Sequence, residues 1–317
     1  MKAEDVERQI LASDALPTPG PVAQELALLS RRHDVEIDEI VRVVASDPGI
    51  CARALRVVNA ASHGVGRYVT TIGDAVRLLG MRGITRVAIE VSVLGRHRDG
   101  VPEFDYGVFW ADALARAVAA QVLARVTRRA PPEEAFTCGL LSTVGRLALV
   151  TVFPQRYREM LATLGRATDD ELAEAEREVF QVDVERLSAA MMARWGIVSL
   201  SAALQRPGLN ARDDGLLAVC RTAAEVARLM TGSAVSRTEL ARTVHALGDI
   251  GVGAELAAEL FPEIVAGYRE GGAGFAILTP MVGTLSELYA NAVDEPVRRL
   301  HAAPPRRAAL AARGAGR

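Results

Sequence analysis

Alanine narrows the fold of this 317-residue chain more than any other feature. Counting the sequence gives 54 Ala, about 17%, against only 4% aromatics. Ala loses no side-chain entropy in a helix and has little to pack on a pleated sheet, so the chain is expected to be all-α. With 50% hydrophobic and 24% charged residues it is too apolar for disorder. The length suits two domains, or one with extensions. Lys+Arg 37 against Asp+Glu 39 leaves a net charge of −2, which excludes a strongly basic nucleic-acid binder but not a local patch. The longest charge-free run, residues 271–286, has 16 residues and is interrupted by Pro280. A spanning helix needs about 20, so no membrane segment is expected. The charged N-terminus lacks a signal-peptide core. Cys51, Cys138 and Cys220 are odd in number and far apart. They read as buried thiols of a cytoplasmic protein, not a disulfide frame or a zinc site.

Helix signals follow one another along the chain. Residues 1–15 read as a short lead-in helix before the turn-rich Leu16-Pro17-Thr18-Pro19-Gly20-Pro21. Residues 22–30 and 36–45 carry apolar side chains at helical spacing. Asp47-Pro48 predicts a helix start, running to about Ala60, because Asp accepts from orphan N–H groups and Pro forfeits an N–H that has no partner there. Thr71 begins another helix, with Gly80 as its stop. Residues 83–94 are ambiguous between helix and strand, and their helical setting selects helix. A polar linker at 97–101 marks an internal boundary. Residues 105–128 form a long helix with Leu114, Val118, Val122 and Val126 four apart. The next runs as one helix from Glu133-Glu134 through Gly139-Leu140-Leu141 to about Val152, stopping before Pro154. Further helices are predicted at 168–180, 183–195, 212–230, 236–247, 252–269 and 279–293. Thr168/Glu171 and Ser236/Glu239 carry the capping-box signature. From Pro304 the Ala/Arg/Pro-rich tail is expected to be disordered.

Few residues suggest chemistry. The five His (33, 63, 97, 245, 301) have no second His, Cys or Asp at a recurrent metal-ligand spacing. His33-Asp34 spells the dipeptide of metal-dependent phosphohydrolases, but in a polar turn without companion ligands. His63 reads as a helix-end cap. Gly271-Gly272-Ala273-Gly274 lacks the Lys and the preceding strand of a phosphate loop. No Gly-x-Ser-x-Gly elbow exists, and Ser142 falls in an apparently buried helix. The acidic run 169–178 reads as a solvated amphipathic helix whose early acids favour the dipole. Trp110 and Trp195 read as core. The Arg77, Arg82, Arg86, Arg96, Arg98 cluster and the tail arginines 306, 307, 313 and 317 read as solvated faces; nucleic-acid binding through the cluster would be strongly salt-dependent.

A set of dispersed motifs resembles one family. They are Leu16-Pro17-Thr18-Pro19, the segment Asp47-Pro48-Gly49-Ile50 through Leu55 to Asn59-Ala60-Ala61, and Ile72-Gly73-Asp74-Ala75-Val76-Arg77-Leu78-Leu79-Gly80. Phe109-Trp110, Glu134 through Gly139-Leu140-Leu141, and Trp195 follow in the expected order. Over about 15–230 the chain is similar to the HDOD family, non-catalytic relatives of the HD phosphohydrolases in bacterial signalling proteins. The resemblance implies an N-terminal helical subdomain at 15–100 packed on an HD-like bundle at 101–230. A lead-in segment (1–14), a helical extension (231–300) and the tail (301–317) complete the chain. Asp47, Pro48, Asn59, Gly80, Trp110, Gly139, Leu140, Leu141 and Trp195 are then mostly structural.

The departures from the catalytic relatives concern metal ligands. Where the His-Asp pair would follow Gly139-Leu140-Leu141 stand Ser142-Thr143. After Phe109-Trp110 the His position holds Asp112. The usual His near Val184 is absent, and where a His pair would follow the Trp195 helix the chain reads Arg206-Pro207-Gly208. Hydroxyls are weak neutral ligands for divalent ions, so the fold is expected to be kept and the metal chemistry lost. The expectation is a cytoplasmic, non-enzymatic signalling module without cofactor, acting through a separate signalling protein or a small ligand. A nucleotide in the former metal groove, near Asp112, Ser142, Thr143 and Arg206, is one form of this. Two alternatives stay open: a phosphohydrolase rebuilt from Asp112, Asp183 and a stray His, and a nucleic-acid-binding regulator.

Overall fold

The computed structural model describes residues 3–13, 20–32, 34–61, 69–94, 101–165, 167–195, 214–232, 235–275 and 277–292. Among these the chain is all-α. The helices are α1 (Ala3–Ala12), α2 (Pro21–Leu29), α3 (Ile37–Ala45), α4 (Pro48–Ala61), α5 (Ile72–Leu94), α6 (Tyr106–Thr127), α7 (Pro132–Leu141) and α8 (Val144–Val152). They continue as α9 (Pro154–Leu164), α10 (Asp169–Phe180), α11 (Val184–Arg194), α12 (Gly215–Thr231), α13 (Arg237–Asp249), α14 (Ala254–Phe275) and α15 (Leu285–Ala290). The disorder expected for the tail, and the readings of Leu16-Pro17-Thr18-Pro19, His33, His63, Arg96, His97, Arg98, Arg206 and His301, fall outside the described residues.

Local chemistry sets many of these boundaries. Asp47 Oδ1 accepts from the N–H groups of Gly49 and Ile50 at 2.8 and 3.2 Å and so opens α4. Both expected capping boxes form, at Thr168/Glu171 and Ser236/Glu239. A third, Thr284/Glu287, opens α15. Asn59 joins α4 to the chain before α5: its side chain donates to the Val69 carbonyl and accepts the Val69 N–H.

Gly80 interrupts α5 as expected: its backbone (φ 65°, ψ 178°) is non-helical, and a second helical segment follows across the kink. Three expectations need correction. The single helix expected to reach Val152 breaks into α7 and α8 at Ser142-Thr143. Pro154, read only as a terminator, also opens α9, whose first N–H needs no partner. Residues 279–284 are not helical, and only the capped turn and a half of α15 remains of the last predicted helix.

Helix α6 is the axis of the molecule, with α7, α12 and α14 packed along it. It is apolar almost all round, as expected of a central helix rather than a surface one. Leu114 and Val118 are buried on one side, Ala113, Ala117 and Ala120 on another. The small residues allow close approach. A Cβ at Gly139 of α7 would lie 2.7 Å from the Arg116 carbonyl of α6, so any side chain there would push the helices apart. Helices α2, α3, α4 and α7 pack on α5, which ties the N-terminal helices to the bundle. One hydrophobic core runs from Val6 and Ile10 through Trp110 and Trp195 to Tyr268 and Ile277. Each fully buried Leu in it, such as Leu114 or Leu141, contributes ~2 kcal/mol of transfer free energy.

By length and composition alone, Tyr106–Thr127, and the stretch Pro132–Val152 if its break between α7 and α8 is ignored, are apolar enough to cross a membrane, which the charge-free runs did not suggest. Their apolar windows are 78% and 83% buried, and a core helix passes the same test. Cys138 and Cys220 are buried and Cys51 half-buried. Burial, with lesser help from Glu185 and Asp214, pushes the Cys220 thiol up to about 12.

Candidate functional site

The positions expected to form a degenerate metal groove do not all meet. Ser142 turns back on its own helix, donating to the Gly139 carbonyl at 2.8 Å. Thr143 is buried, and its hydroxyl has no hydrogen-bond partner among the described residues. Val184 sits at the seam of α8 and α11. There its carbonyl accepts from Ser188 Oγ, which in turn accepts the Gly145 N–H at 2.8 Å. These residues hold the α7–α8 turn against α11. Asp112 alone opens onto a cleft.

Asp112 belongs to a network of ion pairs that spacing alone did not reveal. Arg116, one turn along α6, holds Asp112 Oδ2 through Nε at 2.5 Å and reaches Asp169 Oδ2 through Nη2 at 2.9 Å. Arg146, one turn into α8, holds Asp169 Oδ1 at 3.1 Å and forks onto Glu176 at 2.8 and 3.2 Å. Asp169 and Glu176 are seven residues apart, hence on one face of α10. Tyr157 of α9 donates to Glu176 Oε1 at 2.5 Å. Arg228 of α12 stands 4.0 Å from Asp169 and 3.4 Å from Asp170, while Arg242 of α13 holds Asp170 at 2.7 Å. The reading of 169–178 as a wholly solvated face is therefore corrected: Glu176 is fully buried and Asp169 turns inward to three guanidiniums.

The electrostatics follow from that arrangement. Burial alone would raise the Asp169 pKa, but Arg146, then Arg116 and Arg228, outweigh it and hold the carboxyl down at about 2. Burial and the Glu176 carboxylate push the Tyr157 hydroxyl well above its usual range, so it stays a donor. Thus α6, α8, α10 and α12 are tied together by side chains of opposite charge around one point.

The outer part of this network, Asp112, Asp169, Asp170, Arg228 and Arg242, lines a cleft of about 430 Å³. Its walls are Val108 and Asp112 of α6, the start of α10, the end of α12 from Arg228 to Gly232, and Ser236, Glu239 and Arg242 of α13. Asp112 is the one residue of the expected groove that lines it, and Arg206 lies outside the described residues.

The residues do not fit a divalent cation. Both oxygens of Asp169 and both of Glu176 are taken by guanidiniums, and Asp112 is tied to Arg116. A metal ion could enter only by displacing a cation from its partner. Among the described residues no three His, Cys, Asp or Glu side chains come together as a metal site. Asp183 caps α11 instead, accepting the Arg186 N–H at 2.9 Å, and His245 lies on the surface beside Asp249. In the basic cluster, Arg77 pairs with Asp74, Arg82 with Glu134, and Arg86 lies over the Phe136 ring.

A signal for this network was present. Arg116 is the lone charge in an apolar run from Ala113 to Ala120, as Arg146 is between Val144 and Val150. A charge inside a helix that is apolar all round needs a buried partner.

Comparison with known proteins bears on the whole arrangement. An HDOD domain model matches residues 16–205. A protein of Treponema pallidum (strain Nichols), named only as uncharacterized, is 26% identical over 194 residues, 58% of this chain; the match spans about a third of that relative, 36%. A crystal structure of an HDOD domain protein of unknown function from Geobacter sulfurreducens superposes with a TM-score of 0.66 at 19% identity, over 85% of this chain and 97% of that one. A structure from Shewanella amazonensis SB2B, with phosphohydrolase in its name, superposes with a TM-score of 0.63 at 23% identity, over 85% and 97%. At these identities the two structures speak for the fold alone. The matched motifs and the helical architecture agree, and the chain belongs to the HDOD domain family.

Proposed function

We propose that this HDOD protein is a non-enzymatic signalling or regulatory module, acting through protein contacts or a bound small ligand, in which the HD metal site has been replaced by an ion-pair network. The observation that carries this reading is the Arg116–Asp169–Arg146 centre. An HD enzyme must offer lone pairs to a metal that activates water. Here the oxygens of Asp169 and Glu176 are already matched by guanidiniums, and Ser142 and Thr143 replace the His-Asp pair. A nucleotide in the cleft would meet Arg228 and Arg242, but also Asp112, Asp169 and Asp170, which repel phosphate. Protein contact is therefore favoured over nucleotide binding. The basic cluster gives nucleic acid little purchase, since Arg77 and Arg82 are matched by acids.

The test is elemental mass spectrometry of the purified full chain, with hydrolysis of a generic phosphodiester assayed on the same preparation. Substoichiometric metal and no turnover are expected. Stoichiometric metal with turnover that Asp112→Ala abolishes would overturn the reading.

A further inference from the structure

Besides the cleft, α12, α13, α14 and α15 enclose an apolar groove of about 360 Å³, lined by Leu229, Val244, Leu247, Leu285 and Tyr289. A second apolar surface, on α8, is covered by a segment of the chain itself, the helix α1. Helix α1 precedes the residues that match the HDOD domain model, which begin at Leu16. It is amphipathic. Val6 and Ile10, four residues apart and so on one face, are fully buried in the core to which α8 belongs, and Leu11 packs against the same core. Glu4, Arg8 and Gln9 face water, and Arg8 pairs with Asp5 of its own helix at 3.4 Å. Among the described residues no hydrogen bond or ion pair joins a side chain of α1 to another helix. By contrast, guanidinium–carboxylate pairs tie α6, α8 and α13 to α10. The 10 residues of α1 are too few to hold a helix in water without packing. The surface beneath therefore orders α1, and apolar contact alone retains it.

We propose that α1 is a displaceable occupant of a docking surface on α8. A partner protein enters there with an amphipathic helix that bears two aliphatic side chains four residues apart, as Val6 and Ile10 are. Recognition is of the helix-in-groove kind, with α1 as the intramolecular competitor. Helix α8 is anchored independently of α1, since its Arg146 holds Asp169 and Glu176, so the surface persists when α1 leaves it. The assignment rests on the protein-contact reading above and names the chemistry of the partner.

The probe is a labelled peptide of residues 1–13, titrated by fluorescence anisotropy into two full-length chains, the parent and Val6→Asp with Ile10→Asp. In the parent the tethered α1 competes at high effective concentration, and in the variant it cannot dock. The peptide is expected to bind the variant about tenfold or more tightly than the parent. A peptide carrying the same two substitutions is expected to bind neither. Amide exchange on the parent chain gives a check that does not depend on how the variant folds. Protection over residues 3–12 is expected to be about a hundredfold or more below that of α6, through a local opening. Equal affinity of the peptide for the two chains, or binding to neither, overturns the proposal. So does protection of α1 equal to that of α6, or loss of protection throughout the bundle in the variant, because α1 is then a fixed part of the core. The two readings fail separately. Metal-dependent turnover sinks the non-enzymatic assignment, whereas an α1 that opens only with the bundle, in a protein without turnover, sinks the docking surface alone.

Discussion

The cleft and the groove are two faces of the same pair of helices. On α12, Arg228 turns to the cleft and its neighbour Leu229 to the groove; on α13, Arg242 turns to the cleft and Val244 to the groove. Successive residues on a helix diverge by about 100°, so one short stretch can serve two sites of opposite character. In the cleft the charges are matched within the chain, four arginines against Asp112, Asp169, Asp170, Glu176 and Glu225. The groove is lined instead by apolar side chains, with Val244 and Tyr289 partly open to water. A site already complete holds a fold in register.

The sharpest way to break this contrast is to remove a charge from the centre. Arg146→Ala leaves Glu176, fully buried, with Tyr157 as its remaining partner. The expected cost is about 3–5 kcal/mol in urea denaturation, since an uncompensated buried charge remains. The paired change Arg146→Met with Glu176→Leu is expected to recover much of that loss. Val244→Asp in the groove, by contrast, should move stability by only about 0.5 kcal/mol, as a partly exposed position does. Equal costs at the two sites would erase the distinction.

A smaller effect separates them by pH. Asp169 is held at about 2 in the folded protein, well below the usual carboxylate range. A carboxyl depressed by folding stabilises above its unfolded pKa, and that stability is lost as pH falls through the interval down to the folded value. From pH 4 towards 2 the loss from this group should be on the order of 1–2 kcal/mol. Urea midpoints measured across that window should fall less steeply for Asp169→Asn than for the parent chain.

The smallest effect is local to the groove wall. Thr284→Ala removes the hydroxyl that accepts the Glu287 N–H at 3.2 Å and so uncaps α15. The expected cost is about 1 kcal/mol, confined to that helix. Amide exchange should quicken over 285–290 and stay unchanged at α10.

How far the sequence was legible depended on the range of the interactions. Asp47, Thr168 with Glu171, and Ser236 with Glu239 announced their helices correctly because a cap is completed within three or four residues. The dispersed HDOD motifs were readable for a related reason: Asn59 meets Val69 ten residues away, and Gly139 is small because α6 lies against it. The break between α7 and α8 was missed since no Pro or Gly marks it. At Pro154 one residue both ends and begins a helix. Of the candidate site, Asp112 was foreseen as a lining residue, while Asp169 and Glu176 were read as solvated because their acidic neighbours are.

Alanine content, helical periodicity and short-range caps determined by themselves that this chain is all-α and where many helices start. Those are backbone propensities and contacts within one turn, and they act before any tertiary packing exists. Only the tertiary structure decided that Arg116 meets Asp169 across 53 residues, that Arg146 buries Glu176 across 30, and that α15 folds beside α13 and α14 to leave an apolar groove. A charge is costly to bury alone and tolerable when paired, so which charges turn inward is settled only when distant helices pack and bring the partners together.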